Sequence, residues 1–473
     1  MIVAERETIV TSPPPTFDAA FVVATLGDQL RSHGGGDTTF TRAVIDSREV
    51  RAAEGDTGDL FVALPGEQHD GHEFAAEAAR RGAAGLLLTR EIDGIDDSAS
   101  VVRFIVDDPL AALQRLGAAW RAALPATDVI GITGNVGKTT TKAITAAVLG
   151  ARYRVQATAA NYNNEIGVPL CLLETQPATE RAVIEMGMYT TTEIALLCEW
   201  ARPRIGIVLN VGPVHLERAG SMETIIAAKR ELPEALPPDG HAILNADDPD
   251  VAAMAGHTSA RVWLFGTSEG VDVRGSDVTS HGADGFVFLL STQSEARRIT
   301  APVPGAHLLS NVLAAATTGL ADGMTFDEVA DAIEALDVPL RLEVRAIRDD
   351  VTLLDDTYNA NPASMVAALD LIAEMDGRRV ALLGDMRELG PLSDESHDAI
   401  GRRAAQTLDV LYTVGDLAGR ISESARAAGL ANAEHLESKD LAVARLSDEL
   451  QPGDVLLVKG SRALELETVV EAL

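Results

Sequence analysis

Val129-Ile130-Gly131-Ile132-Thr133 is an apolar run of strand length that leads directly into Gly134-Asn135-Val136-Gly137-Lys138-Thr139-Thr140-Thr141. The stretch from Lys142 to Leu149 then reads as a helix stopped by Gly150. A strand that delivers a glycine-bearing loop to a helix N-terminus commits the chain to an α/β sheet with ligand chemistry at its carboxyl edge. Glycines let backbone N–H groups turn inward around phosphate oxygens, and the helix N-terminus adds positive dipole. Lys138 can reach the outer phosphates, and Thr139 can ligate Mg²⁺. The eight-residue Walker spacing is not met, because Ile132 stands at its first glycine. The shorter GxxGKT form remains, and its strand-loop-helix setting selects a nucleotide over a bland glycine-rich turn. Gly134, Asn135, Gly137, Lys138, Thr139 and Thr140 are therefore the candidate nucleotide-phosphate residues.

The chain has 473 residues, about three times the usual single-domain length of roughly 150. Residues 1–16, ending in Pro13-Pro14-Pro15, read as a flexible N-terminal arm. A small α/β domain is expected over 17–125, with strands at 60–64 and 85–88 and an Ala-rich helix at 73–81. Pro125 marks a break. Buried-looking strands at 129–133, 182–186 and 205–211 alternate with helices in a central domain over 126–337, built on a mostly parallel sheet. After Leu336-Asp337-Val338-Pro339, strands at 351–355, 380–384, 410–414 and 455–458 make 338–473 a Rossmann-like domain.

Asp and Glu number 71 against 39 Lys and Arg, a formal charge of -32 that repels nucleic acid and acidic membranes. No apolar run approaches the ~18 residues of a membrane span, and Glu5 and Glu7 stand where a signal peptide carries positive charge. Cys171 and Cys198 lack CxxC spacing and sit among apolar residues, as free thiols in a reducing compartment do. A cytoplasmic protein is expected.

Ala182-Val183-Ile184-Glu185-Met186 puts a carboxylate near a strand's carboxyl end, where Glu185 suits Mg²⁺ and equally suits a surface acid. His215 follows the strand that ends at Asn210; a lone loop histidine is more often structural. Lys229 shares a helix face with Ile225 and Leu232, so it is either a snorkelling lysine or a buried one. Burial would favour its neutral amine, which can add CO₂ to give an anionic carbamate ligand. Asp355-Asp356-Thr357-Tyr358-Asn359-Ala360-Asn361-Pro362 delivers acids at a strand end, followed by Tyr358, Asn359 and Asn361. The amides can bond a peptide, and Pro362 falls at a helix N1 position.

Four segments together resemble the Mur ligases, ATP-dependent amide-forming enzymes of peptidoglycan synthesis, and the likeness runs over essentially the whole chain. They are Asn161 to Leu170 (NYNNEIGVPL), Asp355 to Pro362, Leu383 to Gly390 (LGDMRELG) and Val458 to Arg462 (VKGSR). The branch most similar adds D-alanyl-D-alanine to UDP-N-acetylmuramoyl-tripeptide. The resemblance implies a three-domain Mur ligase architecture and two Mg²⁺ ions, held by Thr139 and Glu185 and by His215 with carbamylated Lys229. It implies Asn311 on the adenine side and Arg341 and Asp356 closing onto ATP. Asp46, Ser47, Arg48, Asn161, Asn163 and Asn164 are implied for the UDP substrate, Tyr358, Asn359 and Asn361 for D-alanyl-D-alanine, and a monomer for the assembly. Three positions depart from the family pattern: Leu308 in its HNxxN, Leu340 in its PGRxE hinge, and Val136 where Asn or Ser is common.

A P-loop switch acting on a protein partner is the competing class, disfavoured because it needs no peptide-binding third domain. A ligase with another amino acceptor, such as folylpolyglutamate synthetase or a MurE type, is the nearer alternative. A dinucleotide dehydrogenase lacks its GxGxxG at a βα turn.

Overall fold

Apolar strands bounded by turn residues assemble into three sheets in the computed structural model. It describes residues 17–473 except 35–37, 54, 67–68, 96–100, 159–161, 213–219 and 348–349. The expected arm, Asn161 and His215 lie outside the described residues.

The first sheet holds β1 (Phe17–Asp18), β2 (Leu30–Gly34), β3 (Thr39–Val44), β4 (Thr57–Val62), β5 (Gly85–Leu88) and β6 (Val102–Val106), in the order β1-β3-β4-β5-β6-β2. β3 to β6 run parallel, and β1 and β2 close the edges antiparallel. Phe40, Leu60, Leu87 and Phe104 pack on one face with Val22 and Leu26 of the helix Ala19–Leu26 and Leu113 and Leu116 of the helix Pro109–Ala123. The helix expected over 73–81 divides into a 3₁₀ turn, Gly71–Phe74, and an α-helix, Ala75–Arg81. Asp70 caps the turn, its carboxylate accepting from the His72 N–H at 3.0 Å.

The second sheet is the mostly parallel one. It contains β7 (Asp128–Thr133), β8 (Val155–Ala157), β9 (Arg181–Glu185), β10 (Ile205–Val208), β11 (His241–Asn245), β12 (Arg261–Gly266), β13 (Val273–Ser280), β14 (Phe286–Ser291) and β15 (Ala296–Ala301). Their order is β15-β14-β13-β12-β11-β10-β7-β9-β8, with β13 to β15 an antiparallel meander. The helix after β7 spans Lys138–Gly150 and so begins four residues before the expected start. Threonines read as loop, yet the Thr141 N–H bonds the Gly137 carbonyl at 2.8 Å and closes the first turn.

The third sheet contains β16 (Glu343–Ala346), β17 (Thr352–Asp356), β18 (Arg379–Gly384), β19 (Val410–Val414), β20 (Ala433–Leu436) and β21 (Val455–Lys459), ordered β16-β17-β21-β18-β19-β20. β16 is an antiparallel edge and the rest are parallel. The last strand enters between β17 and β18, so helices cover both faces. Pro362–Ala373, Ser393–Thr407 and Gly419–Ala427 lie on one, Lys439–Glu449 and Glu467–Ala472 on the other. Asp356, Gly384 and Lys459 thereby end three adjacent strands.

The chain divides into two compact units. One comprises the described residues up to Asp128 with Thr158–Ala182 and Glu199–Arg202; the other comprises Val129–Ala157, Val183–Cys198 and Pro203–Leu473. Among the described residues, no helix is long and apolar enough to cross a membrane. Cys171 and Cys198 are buried and not joined in a disulfide, and burial pushes the Cys198 thiol up to about 12.

Candidate active site

The phosphate loop leaves the carboxyl end of β7, where β10 runs beside it and the Leu209 N–H donates to the Thr133 carbonyl at 3.0 Å. Gly137 sits at φ +86°, and a Cβ there would come within 2.6 Å of Asn311 Nδ2. Only glycine satisfies both conditions. Lys138 folds over its own loop, donating to the carbonyls of Gly134 at 2.8 Å and Asn135 at 3.3 Å. Desolvation lowers its pKa, Glu185 opposes that shift, and the Arg341 guanidinium adds to it.

Glu185 ends β9 and is 1% exposed. Its Oε2 accepts from Thr139 Oγ1 at 2.9 Å and lies 3.8 Å from Lys142 Nζ. Lys229 lies on the helix Met222–Glu234, which Ser221 caps by accepting the Thr224 N–H at 3.2 Å. It is 2% exposed on the face it shares with Ile225 and Leu232. Burial first, and then the neighbouring Lys138 charge, hold its pKa well below the ordinary lysine value. At the end of β7 the Thr133 hydroxyl oxygen is buried with no partner among the described residues. Hydroxyl and carboxylate oxygens are hard donors that fit Mg²⁺ better than a softer metal. Among the described residues there is no cluster of three His, Cys, Asp or Glu, so such an ion would need ligands beyond side-chain acids, such as phosphate oxygens.

The third sheet contributes from its carboxyl edge. Lys459, 1% exposed, donates Nζ to Asp356 Oδ2 at 2.5 Å and to the Asn359 carbonyl at 2.9 Å. The Arg341 guanidinium stacks 3.9 Å from the centre of the Tyr358 ring.

Two family models match the chain, the Mur ligase middle domain over residues 132–319 and the Mur ligase, glutamate ligase domain over 340–462. A Synechocystis UDP-N-acetylmuramoyl-tripeptide–D-alanyl-D-alanine ligase is 39% identical over 88% of this chain and 89% of that protein. The chain belongs to the Mur ligase family, MurF type. A crystal structure of MurF from Acinetobacter baumannii superposes with a TM-score of 0.84 at 29% identity, covering 98% of this chain and 99% of that one. MurF from Thermotoga maritima in complex with ADP gives 0.75 at 30% identity, covering 91% and 96%.

In this MurF-type ligase the second unit brings together Lys138, Thr139, Glu185 and Lys229, with Asn311 against the loop. Asn311 donates Nδ2 to the Gly137 carbonyl at 3.2 Å and to Thr141 Oγ1 at 2.8 Å, so this amide braces the loop-helix junction. Three asparagines assigned to ligands also hold the backbone. Asn361 Oδ1 accepts from the Ser364 N–H at 2.9 Å and caps the helix Pro362–Ala373, while Asn164 Oδ1 accepts from the Gly167 N–H at 2.9 Å. Asn359 Oδ1 accepts from the Ala360 N–H at 2.9 Å.

Asp46, Ser47, Arg48, Asn163 and Asn164 lie in the first unit. Asp46 accepts the Arg48 N–H at 2.8 Å and pairs its Oδ2 with Arg48 Nη2 at 2.6 Å, which holds the Asp46 carboxyl below its usual pKa. Fully buried Asp59 anchors this turn: it accepts from Thr41 Oγ1 at 2.9 Å and from the Arg51 N–H at 3.0 Å. Sequence reasoning missed Asp59, Lys142 and the role of Lys459. Lys142 carried a signal, since it lies one helical turn from Lys138 on the loop-facing end of the same helix.

Proposed function

We propose that this chain joins D-alanyl-D-alanine to UDP-N-acetylmuramoyl-tripeptide, cleaving ATP to ADP and phosphate through an acyl phosphate. The observation that carries this reading is the geometry of the phosphate loop, where Lys138 lies over the Gly134 and Asn135 carbonyls and Thr139 donates to buried Glu185 at 2.9 Å.

In the first step a carboxylate oxygen of the tripeptide forms a bond to the γ-phosphorus as the bond to the ADP oxygen breaks. Negative charge spreads over the equatorial phosphoryl oxygens in that displacement, and fixed cations stabilise it more than they stabilise the ground state. Lys138 is the nearest such cation on the loop. Its ammonium donates to the Gly134 and Asn135 carbonyls, so phosphate oxygens would take over donors already aimed along the loop. Mg²⁺, held by Thr139 and Glu185 and, at a second site, by His215 and carbamylated Lys229, would supply further charge neutralisation. The depressed pKa of Lys229 keeps a fraction of the amine neutral, the form that adds CO₂.

In the second step the dipeptide amine, neutral, attacks the acyl carbon. The C–N bond forms, phosphate leaves with the bonding pair, and the amine proton is lost. Tyr358, Asn359 and Asn361 are proposed to position the dipeptide, and Asn311, Arg341 and Asp356 the nucleotide. Asp46, Ser47, Arg48, Asn161, Asn163 and Asn164 are proposed for the UDP substrate. We read the enzyme as a cytoplasmic monomer with neither nucleic acid nor membrane partner.

The test is phosphate release from ATP and Mg²⁺ with UDP-N-acetylmuramoyl-tripeptide present and D-alanyl-D-alanine added or omitted, with the product weighed. Release that needs both substrates and yields the pentapeptide supports the reading. Release without either would return the chain to the switch class, and release with a different amine to a ligase with another acceptor.

A further inference from the structure

Two backbone N–H groups and one carbonyl of the phosphate loop are taken by a single side chain. Asn210, just beyond β10, accepts through Oδ1 from the Asn135 N–H and the Val136 N–H, each at 2.9 Å. Its Nδ2 donates to the Val136 carbonyl at 3.0 Å. Donors and acceptors on the loop thus fix the amide's orientation. The Asn210 main chain joins in, its carbonyl accepting from the Asn135 N–H at 3.2 Å, and Asn135 Nδ2 donates to the Gly212 carbonyl at 2.6 Å. The clamp itself is tied down from behind. Asn245 Nδ2 donates to the Leu209 carbonyl at 2.8 Å, and the Val211 N–H donates to Asp248 Oδ2 at 2.8 Å.

This arrangement changes what the loop can offer a phosphate. In a longer Walker loop, successive N–H groups line the anion pocket. Here only Asn135 and Val136 stand between the two glycines, and both of their N–H groups face Asn210. The donors left for phosphate include the N–H of Gly137, the N-cap, and those of the first helical turn, Lys138, Thr139 and Thr140, which have no acceptor within their own helix. We propose that Asn210 is a positioning residue for the nucleotide: it sets the loop in its phosphate-ready shape before ligand arrives, without itself touching the ligand. The proposal rests on the reading that this loop binds ATP.

The chemistry explains why an amide serves here. A carboxylate could accept the two N–H groups but could not donate to the Val136 carbonyl, and it would add negative charge beside bound phosphate. An alkyl side chain would leave the Val136 N–H and carbonyl without this partner and the Asn135 N–H with only its longer bond to the Asn210 carbonyl at 3.2 Å. The clamp also accounts for valine at position 136. The polar work of that residue is done by its backbone, so its side chain is free to vary.

The test compares wild type, Asn210→Ala and Asn210→Asp in the full chain by two readouts. The first is hydrogen exchange of the peptide covering residues 134–137 without nucleotide; the second is calorimetric titration with MgADP and, separately, with UDP-N-acetylmuramoyl-tripeptide. Wild type is expected to protect the Asn135 and Val136 amides. Asn210→Ala is expected to lose the Val136 protection, to keep at most part of the Asn135 protection through the main-chain carbonyl of residue 210, and to bind MgADP at least about tenfold more weakly, with affinity for the UDP substrate unchanged. Asn210→Asp should retain the amide protection and still bind MgADP more weakly than wild type. Unchanged exchange in Asn210→Ala would overturn the clamp. Lost protection with unchanged MgADP affinity would overturn its role in positioning. A parallel fall in both affinities would make Asn210 a general structural residue. Wild type that protects the loop yet binds no MgADP would instead sink the nucleotide reading.

Discussion

Lys229 shows what the site costs at the scale of one residue. Its native pKa lies well below the ordinary value because burial and Lys138 both disfavour its charge. Below the unfolded pKa of about 10.4, the unfolded chain therefore binds a proton that the native amine resists. The sign follows: stability is reduced as pH falls from that value, until the native amine is itself protonated. Lys229→Met, which keeps the length and removes the charge, is expected to raise the melting temperature at neutral pH by a few degrees while abolishing ligation. A melting scan and a phosphate-release assay check both halves, and full activity at low bicarbonate would remove the carbamate role. Gly137→Ala tests the loop from the opposite side. A methyl at φ +86°, 2.6 Å from Asn311 Nδ2, must displace the loop or Asn311. At least about a hundredfold loss in kcat/KM for ATP is expected, equivalent to about 3 kcal/mol of transition-state stabilisation. The apolar face that carries Lys229 was legible because it repeats locally, but that period fits a snorkelling lysine as well, and the structure decides for burial. Asn210 was not legible, since its three bonds cross from one loop to another and leave no periodic trace. Asn164 and Asn361 read as ligand amides because Asn bonds peptides and its own backbone alike, and only the structure shows that Asn361 caps the helix Pro362–Ala373 and that Asn164 Oδ1 takes the Gly167 N–H.

At the scale of elements, a buried carboxylate organises the carboxyl edge of the third sheet. Asp385 follows β18, is fully buried, and accepts through Oδ1 from the Leu417 N–H at 2.9 Å and the Ala418 N–H at 2.8 Å, at the start of the helix Gly419–Ala427. Its carbonyl accepts from the Ser461 N–H at 2.9 Å, which links β18 to the turn after β21. Removing the carboxylate would strand the buried Ala418 N–H and the part-buried Leu417 N–H, so Asp385→Ala is expected to cost about 2–4 kcal/mol in a urea titration. Asp385→Asn, which keeps one acceptor oxygen, should lose less than half of that. Equal losses would mean that charge, and not the acceptor, matters there. The parallel strands were legible from sequence because strands buried on both faces are continuous apolar runs, as Val410-Leu411-Tyr412-Thr413-Val414 shows. The meander of β13 to β15 was not. Val273–Ser280 alternates buried and half-exposed residues and then turns solvent-exposed over Asp277–Thr279, so no apolar run announces that strand. The start of the loop helix was misplaced for a related reason: three threonines carry little helix propensity, and the turn is closed by Gly137.

For the molecule as a whole, the formal charge of -32 acts at longer range than any single pair. Two opposing effects respond to salt. Local ion pairs such as Arg297 with Asp331 at 2.7 Å and Arg420 with Asp398 at 2.8 Å would be weakened by screening. Each is at the surface, where such a pair contributes only about 0–1 kcal/mol. Against them stands the repulsion among acids that 39 basic residues cannot match one for one against 71. Repulsion of that kind falls as the Debye length shrinks from ~30 Å at 0.01 M salt to ~3 Å at 1 M. The compact state crowds the excess charge more than the unfolded chain does, so screening relieves the native state more. The melting temperature is therefore expected to rise by several degrees between about 0.01 M and about 1 M KCl. Chloride is the right probe, because sulfate would strengthen apolar burial by a separate route. A rise that levels off once the Debye length falls below the spacing of surface acids would identify long-range repulsion as the cause. A fall over the same range would show that the local Arg–carboxylate pairs outweigh the net charge, and the acidic excess would then have to be understood as a solubility feature without a stability cost.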